Sequence, residues 1–441
     1  MNRKNILALL LVLTALLFTG CGMRTVSDMY ALPRRSAEYL HLQKAIDMAM
    51  AGLQYSAPIA GENQQTVQMA DLDGDGVEEY LVFAKGNTEK PLQILIFCQT
   101  PEGECQIMTV IESRGSAFER VEYAEIDHNP GCEIVVGRSV SNQLTGSVGV
   151  YTFKDGFAKQ IATDGYSRFV TFDLDGDDKK ELLLVQPGQS DSEKAVAVLY
   201  NYRAGAMERS VEVGLSRRGQ DIHRITAGML EGGTPAIYVT SAVDDNSLIT
   251  DILTLKRNRL TNISQSLETG TSVQTLRNYF VYGEDVDRDG VLELPRLITM
   301  KPVSQDYNIE RQHLLQWYSM SLASGETEKM HTFHNYAGGW FVELDKRWAE
   351  QVTVDQMGNT YQFFLWDDTY TQVHPIFTIY SLSGSDRETQ AGQEGRFLLY
   401  RTDDVIYAGR LDKAANEYEI TQQNLTDAFH LIREEWKTGE T

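Results

Sequence analysis

Apolar residues in this chain fall into short strand-length runs, separated by loops rich in glycine, aspartate and asparagine. TVQMADLDGDGVEEYLVFA (66–84) reads as a strand, an acidic loop and a second strand. The pattern returns as RVEYAEIDHNPGCEIVVG (120–137), RFVTFDLDGDDKKELLLVQ (168–186) and NYFVYGEDVDRDGVLELPRLI (278–298). The first loop positions are Asp71, Glu125, Asp173 and Asp285, at separations of 54, 48 and 112 residues. The last gap is twice 56, which predicts a degenerate copy midway. HRITAGMLEGGTPAIYVTS (223–241) fits: both strands survive, and Gly228 and Leu230 stand where acids would be. Further strand-like runs (QILIFC, GVYTF, AVAVLYNY, DILTLKR) lie between the loops.

A recurring unit of this length with four strands predicts a mainly β fold, a β-propeller of four-stranded blades with at least five repeat units across 54–338. One such sheet cannot bury both of its faces, whereas neighbouring sheets bury each other's. An elongated solenoid or a sandwich is the alternative use of the same strands. From residue 339 the acidic loop disappears, and WFVELDKRWAEQVTVDQ, TYQFFLW, PIFTIYSLS, GRFLLYR and VIYAGRL follow as strands. Near the end Leu425, Phe429, Ile432 and Trp436 follow a helical stripe, with Asn424 and Asp427 as a start signal. Residues 339–441 are therefore expected to form a separate small α+β domain, unless their first strands complete the propeller. Ahead of the repeats, residues 34–52 predict a short helix with Tyr39, Leu42, Ile46 and Met50 on one side and Gly52 as its stop.

The first residues change the picture of where this fold works. Arg3 and Lys4 precede an apolar stretch from Ile6 to Phe18, shorter than the roughly 20 residues a membrane crossing needs. Phe18-Thr19-Gly20-Cys21 resembles the lipobox of bacterial lipoproteins. That resemblance implies a signal peptide over 1–20, acylation of Cys21, and a linker with the short helix over 21–53. The implied location is the extracellular face of the cytoplasmic membrane, with the lipid as the membrane partner. The formal charge of −22 becomes more negative still once Arg3 and Lys4 leave. Such a chain repels phosphate backbones, so nucleic acid is excluded as a partner. Cys98 and Cys105 flank one hairpin loop, where either a cross-strand disulfide or two thiols would fit. Cys132 reads as a small buried residue.

The chemistry lies in the loops. Four carboxylates within nine residues repel one another, and a hard dication that prefers six to eight oxygens removes that cost. Gly74 and Gly76 let the backbone wrap inward around such an ion. An EF-hand would need glutamate at position 12, where Val82, Leu184 and Arg296 stand instead. Magnesium suits these loops less, because it keeps its waters in a tight octahedron.

DLDGDGVEE and DLDGDDKKE resemble the loops of VCBS and FG-GAP repeats, the propeller repeats of integrin α-subunits. The resemblance implies structural calcium held by side chains at positions 1, 3, 5 and 9 and by the carbonyl at position 7. The first site would be Asp71, Asp73, Asp75, Glu79 and the carbonyl of Val77. The third copy offers Asp173, Asp175, Asp177, Glu181 and the carbonyl of Lys179. The last offers Asp285, Asp287, Asp289, Glu293 and the carbonyl of Val291. The second has Glu125, Asp127, Asn129, Glu133 and the carbonyl of Gly131, with a longer first side chain, a neutral amide and Pro130 inside the loop. The degenerate copy should hold no ion.

No HExxH, GxSxG or phosphate-loop pattern is present. His331 and His334 have no evident third metal ligand. Trp317, Trp340, Trp348, Trp366 and Trp436 fall in the last third, where they fill a core or line a groove. Two function classes follow. One is a non-enzymatic, membrane-anchored binding module for an extracellular protein, peptide or glycan. The other is an extracellular polysaccharide- or peptide-degrading hydrolase or lyase with the calcium loops as scaffold.

Overall fold

A computed structural model describes residues 37–433 apart from 101–102, 141–144, 191, 304–311 and 394. The expected signal peptide, Cys21 and Trp436 lie outside the described residues. Strands assemble into six antiparallel sheets of four or five strands, taken in chain order. The second sheet shows the plan: Ala117–Ala124, Glu133–Ser139, Gly146–Lys154 and Phe157–Tyr166 pair in sequence order. The first spans Gln54–Ser113, the third Arg168–Gly214 and the fourth Ile222–Asn262.

Burial on both faces explains why the second strands read as unbroken apolar runs rather than as alternations. Ile134 and Val136 face the first sheet, joining Leu81, Phe83, Ile94 and Phe118. Val135, between them, faces the third sheet and meets Val150, Leu182 and Leu184. Leu183 and Val185 point the other way, onto Ile237 and Val239 of the fourth sheet. Tyr238 and Ile252 continue the series to Leu292, Leu294 and Tyr318. Five shared cores thus join six successive sheets in a propeller-like series.

The two outer faces are covered differently. Helix α1 (Ala37–Ala49) lays Leu42 and Ile46 on Val82, Ala84, Leu95 and Phe97 of the first sheet. At the far end Ala391 of helix α2 (Arg387–Ala391) packs on Tyr380, Leu382, Ile406 and Ala408. Among the described residues no buried cluster joins the first sheet to the sixth, so helices stand where a closed ring would place a neighbouring blade.

The boundary expected at 338/339 falls inside a hairpin. Trp340–Leu344 pairs with Gly325–Asn335 and completes the fifth sheet, which begins with Leu294–Thr299 and His313–Ser321. Val352–Met357 through Val405–Leu411 form the sixth sheet, and its core is shared with the fifth through Phe333, Trp340, Phe363 and Phe377. The segment expected as a separate α+β domain therefore extends the sheet series. The helical stripe near the end is also corrected. Helix α3 covers only Gln422–Asp427, started by Thr421, which forms a reciprocal capping box with Asn424. Phe429–Leu431 then pairs antiparallel with Trp340–Val342 and covers the open edge of that strand.

The 31 residues between the fourth and fifth sheets cross without a long strand, and buried polar side chains fix their path. Asp251, fully buried, accepts hydrogen bonds from Ser216 N (2.8 Å), Asn262 Nδ2 (2.8 Å) and Ser272 Oγ (2.6 Å). Arg277 donates to Thr250 Oγ1 (3.0 Å) and to the carbonyls of Thr275 and Val281.

Candidate metal centres

In the second and third sheets the acidic loop joins the first two strands, and in the first it joins Val67–Ala70 to Glu79–Lys85. The strand expected over 278–283 does not form, so the last loop stands ahead of Leu294–Thr299, the first strand of its sheet. Asp71, Asp73 and Glu79 bring one carboxylate oxygen each to within 4.8 Å of one another. Asp173, Asp175 and Glu181 do the same, as do Asp285, Asp287 and Asp289 in the last loop. The three loops share a backbone. Gly74 and Gly76, Gly176 and Asp178, and Arg288 and Gly290 all have positive φ, at loop positions 4 and 6. Asp178 and Arg288 take a conformation that suits glycine, so the loop as a whole imposes it.

Local hydrogen bonds set this shape. Asp71 accepts from the amides of Gly74 (2.7 Å) and Gly76 (3.0 Å), and Asp173 from Gly176 (2.7 Å) and Asp178 (3.0 Å). Asp285 accepts from Gly290 at 3.1 Å. The position-5 residues Asp75, Asp177 and Asp289 accept from the amides of Val77, Lys179 and Val291. The glutamates at position 9 lie under the loops, and one oxygen of each accepts from the position-2 amide: Leu72 (2.9 Å), Leu174 (2.8 Å) and Val286 (3.0 Å). Asp75, Asp177 and Glu293 stand just outside the tight groupings.

Burial pushes Glu79 up to about 7; the Leu72 hydrogen bond opposes this, and Asp73, Asp75 and Asp71 add to it. Glu181 is likewise raised to about 7 and Glu293 to about 8, again by burial first. Glu293 Oε1 and Asp285 Oδ1 are buried without a hydrogen bond. A hard dication supplies what such oxygens lack, so the donor set fits calcium.

The second loop does not gather its expected ligands. Glu125 turns out to pair with Lys179 Nζ of the third loop at 3.0 Å. Asn129 Nδ2 donates to Asp127 Oδ2 (2.7 Å), and Glu133 accepts from the amides of Ile126 and Asp127. Its backbone differs as well: within the loop only Gly131, at position 7, has positive φ. Internal partners hold these side chains. The degenerate copy is a plain hairpin, Ile222–Leu230 with Thr234–Asp244, closed by Glu231, Gly232 and Gly233.

Neighbouring loops also touch. Cys132 Sγ, at position 8 of the second loop, donates to the carbonyl of Asp71, at position 1 of the first (3.3 Å). Lys180 N, at position 8 of the third, donates to the carbonyl of Glu125 (2.7 Å). Leu292 N, at position 8 of the last, reaches the carbonyl of Met229 (3.1 Å).

No family model matches the chain, and no curated protein does. Among solved structures, 74% of the chain aligns with the exotype rhamnogalacturonan lyase YesX at 13% identity and a TM-score of 0.29, spanning 63% of that enzyme, less than two thirds of its length. A protein from Lactobacillus plantarum aligns with 72% of the chain and 85% of its own length, at 12% identity and a TM-score of 0.31. Likenesses this faint carry no argument, and the chemistry has to be read from these residues themselves.

Other candidates are dispersed. His331 and His334 sit three apart on one strand and so face opposite sides of the sheet. His334 stacks on Phe341, beside Trp317 and Tyr336. Trp317, Trp340, Trp348 and Trp366 are buried in cores. Cys98 lies opposite Gln106, and Cys105 opposite Gln99. The two thiols therefore point to opposite faces, Cys98 toward the second sheet and Cys105 toward α1, and no disulfide joins them. Sequence reasoning missed Lys329, whose Nζ lies 2.9 Å from both Asp289 and Glu231. It also missed the His430–Glu343 pair at 2.8 Å, because the helical stripe hid a strand.

Proposed function

We propose that the protein is a calcium-stabilised binding module, held outside the cytoplasmic membrane by a lipid on Cys21, which recognises an extracellular protein, peptide or glycan without turning it over. The observation that carries this reading is the threefold recurrence of one loop backbone with gathered carboxylates and a desolvated glutamate beneath. In the first and third sites, position 1 follows one strand and position 9 begins the next, whereas the last loop closes on itself through the Glu284–Glu293 bridge just ahead of Leu294–Thr299. A bound ion would clip the paired strands together in the first and third sites, fix the loop ahead of Leu294–Thr299 in the last and, through the position-8 contacts, steady the neighbouring sheet. The likeness of the loops to VCBS and FG-GAP repeats supports the same assignment. The sequence carries no HExxH, GxSxG or phosphate-loop pattern.

Calorimetric titration of the metal-free protein tests the ion: three calcium ions per chain are expected, with magnesium a poor substitute. An absence of calcium binding at millimolar concentration would overturn the reading. Cell fractionation tests the anchor, since Cys21→Ser should move the protein from the membrane to the soluble fraction.

A further inference from the structure

The last acidic loop borders a cleft of about 330 Å3 lined by Asp285, Asp287, Arg288, Glu343, His430 and Arg433. It is formed within the fifth sheet, between the loop that opens the sheet and the strand Phe429–Leu431 that closes it. His430 Nε2 lies 2.8 Å from Glu343 Oε1, and its ring packs 5.0 Å from Phe341. Arg288 and Arg433 are exposed to solvent. Beneath the loop, fully buried Glu293 keeps Oε1 without a hydrogen bond, and so does Asp285 with Oδ1.

Two countable features single out this loop. The first is coordination. Asp285, Asp287, Asp289, Glu293 and the carbonyl of Val291 supply five groups, and Lys329 already holds one oxygen of Asp289 at 2.9 Å. Calcium takes about six to eight oxygens, so a position remains for a group from outside. The second is charge. The four ligand carboxylates and Glu343, set against Arg288, Arg433 and Lys329, give a formal charge of −2, and a dication brings it to zero. An anion is repelled before the ion binds, and the ion removes that repulsion.

We propose that this loop and cleft form one calcium-dependent site for a carboxylate-bearing ligand. The ligand carboxylate completes the coordination of the ion, while Arg288 and Arg433 favour the anion and His430, oriented by Glu343, offers a polar edge. The inference rests on the calcium reading above and adds a ligand class to one of its three sites. An acidic sugar and an acidic peptide carry the same recognised group.

The test is calorimetric titration of calcium into the metal-free, signal-less chain, alone and with digalacturonate, N-acetylglutamate or their methyl esters. One calcium site should tighten at least about fivefold with one or both acids and not with the esters, and by linkage that acid should bind only when calcium is present. Which acid acts tells sugar from peptide. The double variant Arg288→Gly, Arg433→Gln should lose this coupling while keeping its circular dichroism spectrum; Gly suits the positive φ of Arg288. Calcium binding unmoved by either acid, or moved equally by the esters, overturns the proposal and leaves the calcium reading intact. No calcium binding at all overturns both.

Discussion

Removing calcium from the protein at pH 8 should lower its melting temperature by an amount that the loops set. Each ion contributes RT ln(1 + [Ca]/Kd), which at 10 mM calcium and a Kd of about 10⁻⁴ to 10⁻³ M is about 1.4–2.7 kcal/mol. Three independent sites then give about 4–8 kcal/mol. For a chain of this length that corresponds to roughly 5–10 °C. Glutamate burial sets the pH dependence. With no ion, Glu79, Glu181 and Glu293 bind protons more tightly folded than unfolded. Their protonated forms favour the fold fully below about 4.5, and that benefit is lost as pH rises through about 7 to 8. The gap between chelator and calcium should therefore be wide at pH 8 and narrow at pH 5.

Glu181→Gln separates an ion site from an acidic turn. The amide keeps an oxygen for the Leu174 amide and removes the desolvated charge. In chelator at pH 8 the variant should be more stable than the parent, by roughly 1–3 kcal/mol. In calcium it should lose about a third of the stabilising increment. Differential scanning calorimetry in EDTA and in 10 mM calcium measures both numbers. Coincident melts of the parent in the two buffers, or a variant that is less stable in chelator and keeps the full calcium increment, would refute the reasoning.

Other outcomes follow from particular contacts. Gly74→Ala and Gly76→Ala face the same positive-φ strain, but a Cβ on Gly74 would lie 2.3 Å from Pro130 Cβ, whereas Gly76 meets nothing within 4 Å. Urea unfolding should show Gly76→Ala costing about 1–2 kcal/mol and Gly74→Ala about 2–4 kcal/mol. A chain ended at residue 338 strips Trp340–Leu344 and Phe429–Leu431 from the fifth sheet, so it should lose the cooperative calorimetric transition; Phe363→Ala should cost about 3–5 kcal/mol. Burial lowers His334 to about 3, so its share of stability is full above 6.5 and lost as pH falls toward 3. His334→Gln should flatten that part of the pH–melting curve. Cys98, Cys105 and Cys132 should all react as thiols in denatured, unreduced protein, as counted by Ellman titration.

Much of this protein is legible from short-range pattern. Asp71, Asp173 and Asp285 mark the repeat because a turn that gathers acids needs fixed residue types at fixed steps, and the loop backbone follows locally from them. The degenerate hairpin at 222–244 was predictable from spacing alone, and α1 from the burial of Leu42 and Ile46. The second loop shows where local pattern stops. Glu125 has the right place in the sequence, yet Lys179, 54 residues later, takes its carboxylate.

Chain order by itself determined that strands come in fours around acidic turns, since alternation and turn chemistry act within a few residues. Tertiary structure alone decided which sheet each face meets and what covers the ends. It decided that Phe429–Leu431 leaves its helical stripe to pair with Trp340–Val342, and that a buried Asp251 holds the crossing between sheets. These outcomes depend on hydrogen bonds and desolvation between residues far apart in sequence. No local pattern encodes such partners, because the free energy of a strand edge or a buried carboxylate is set by what packs against it.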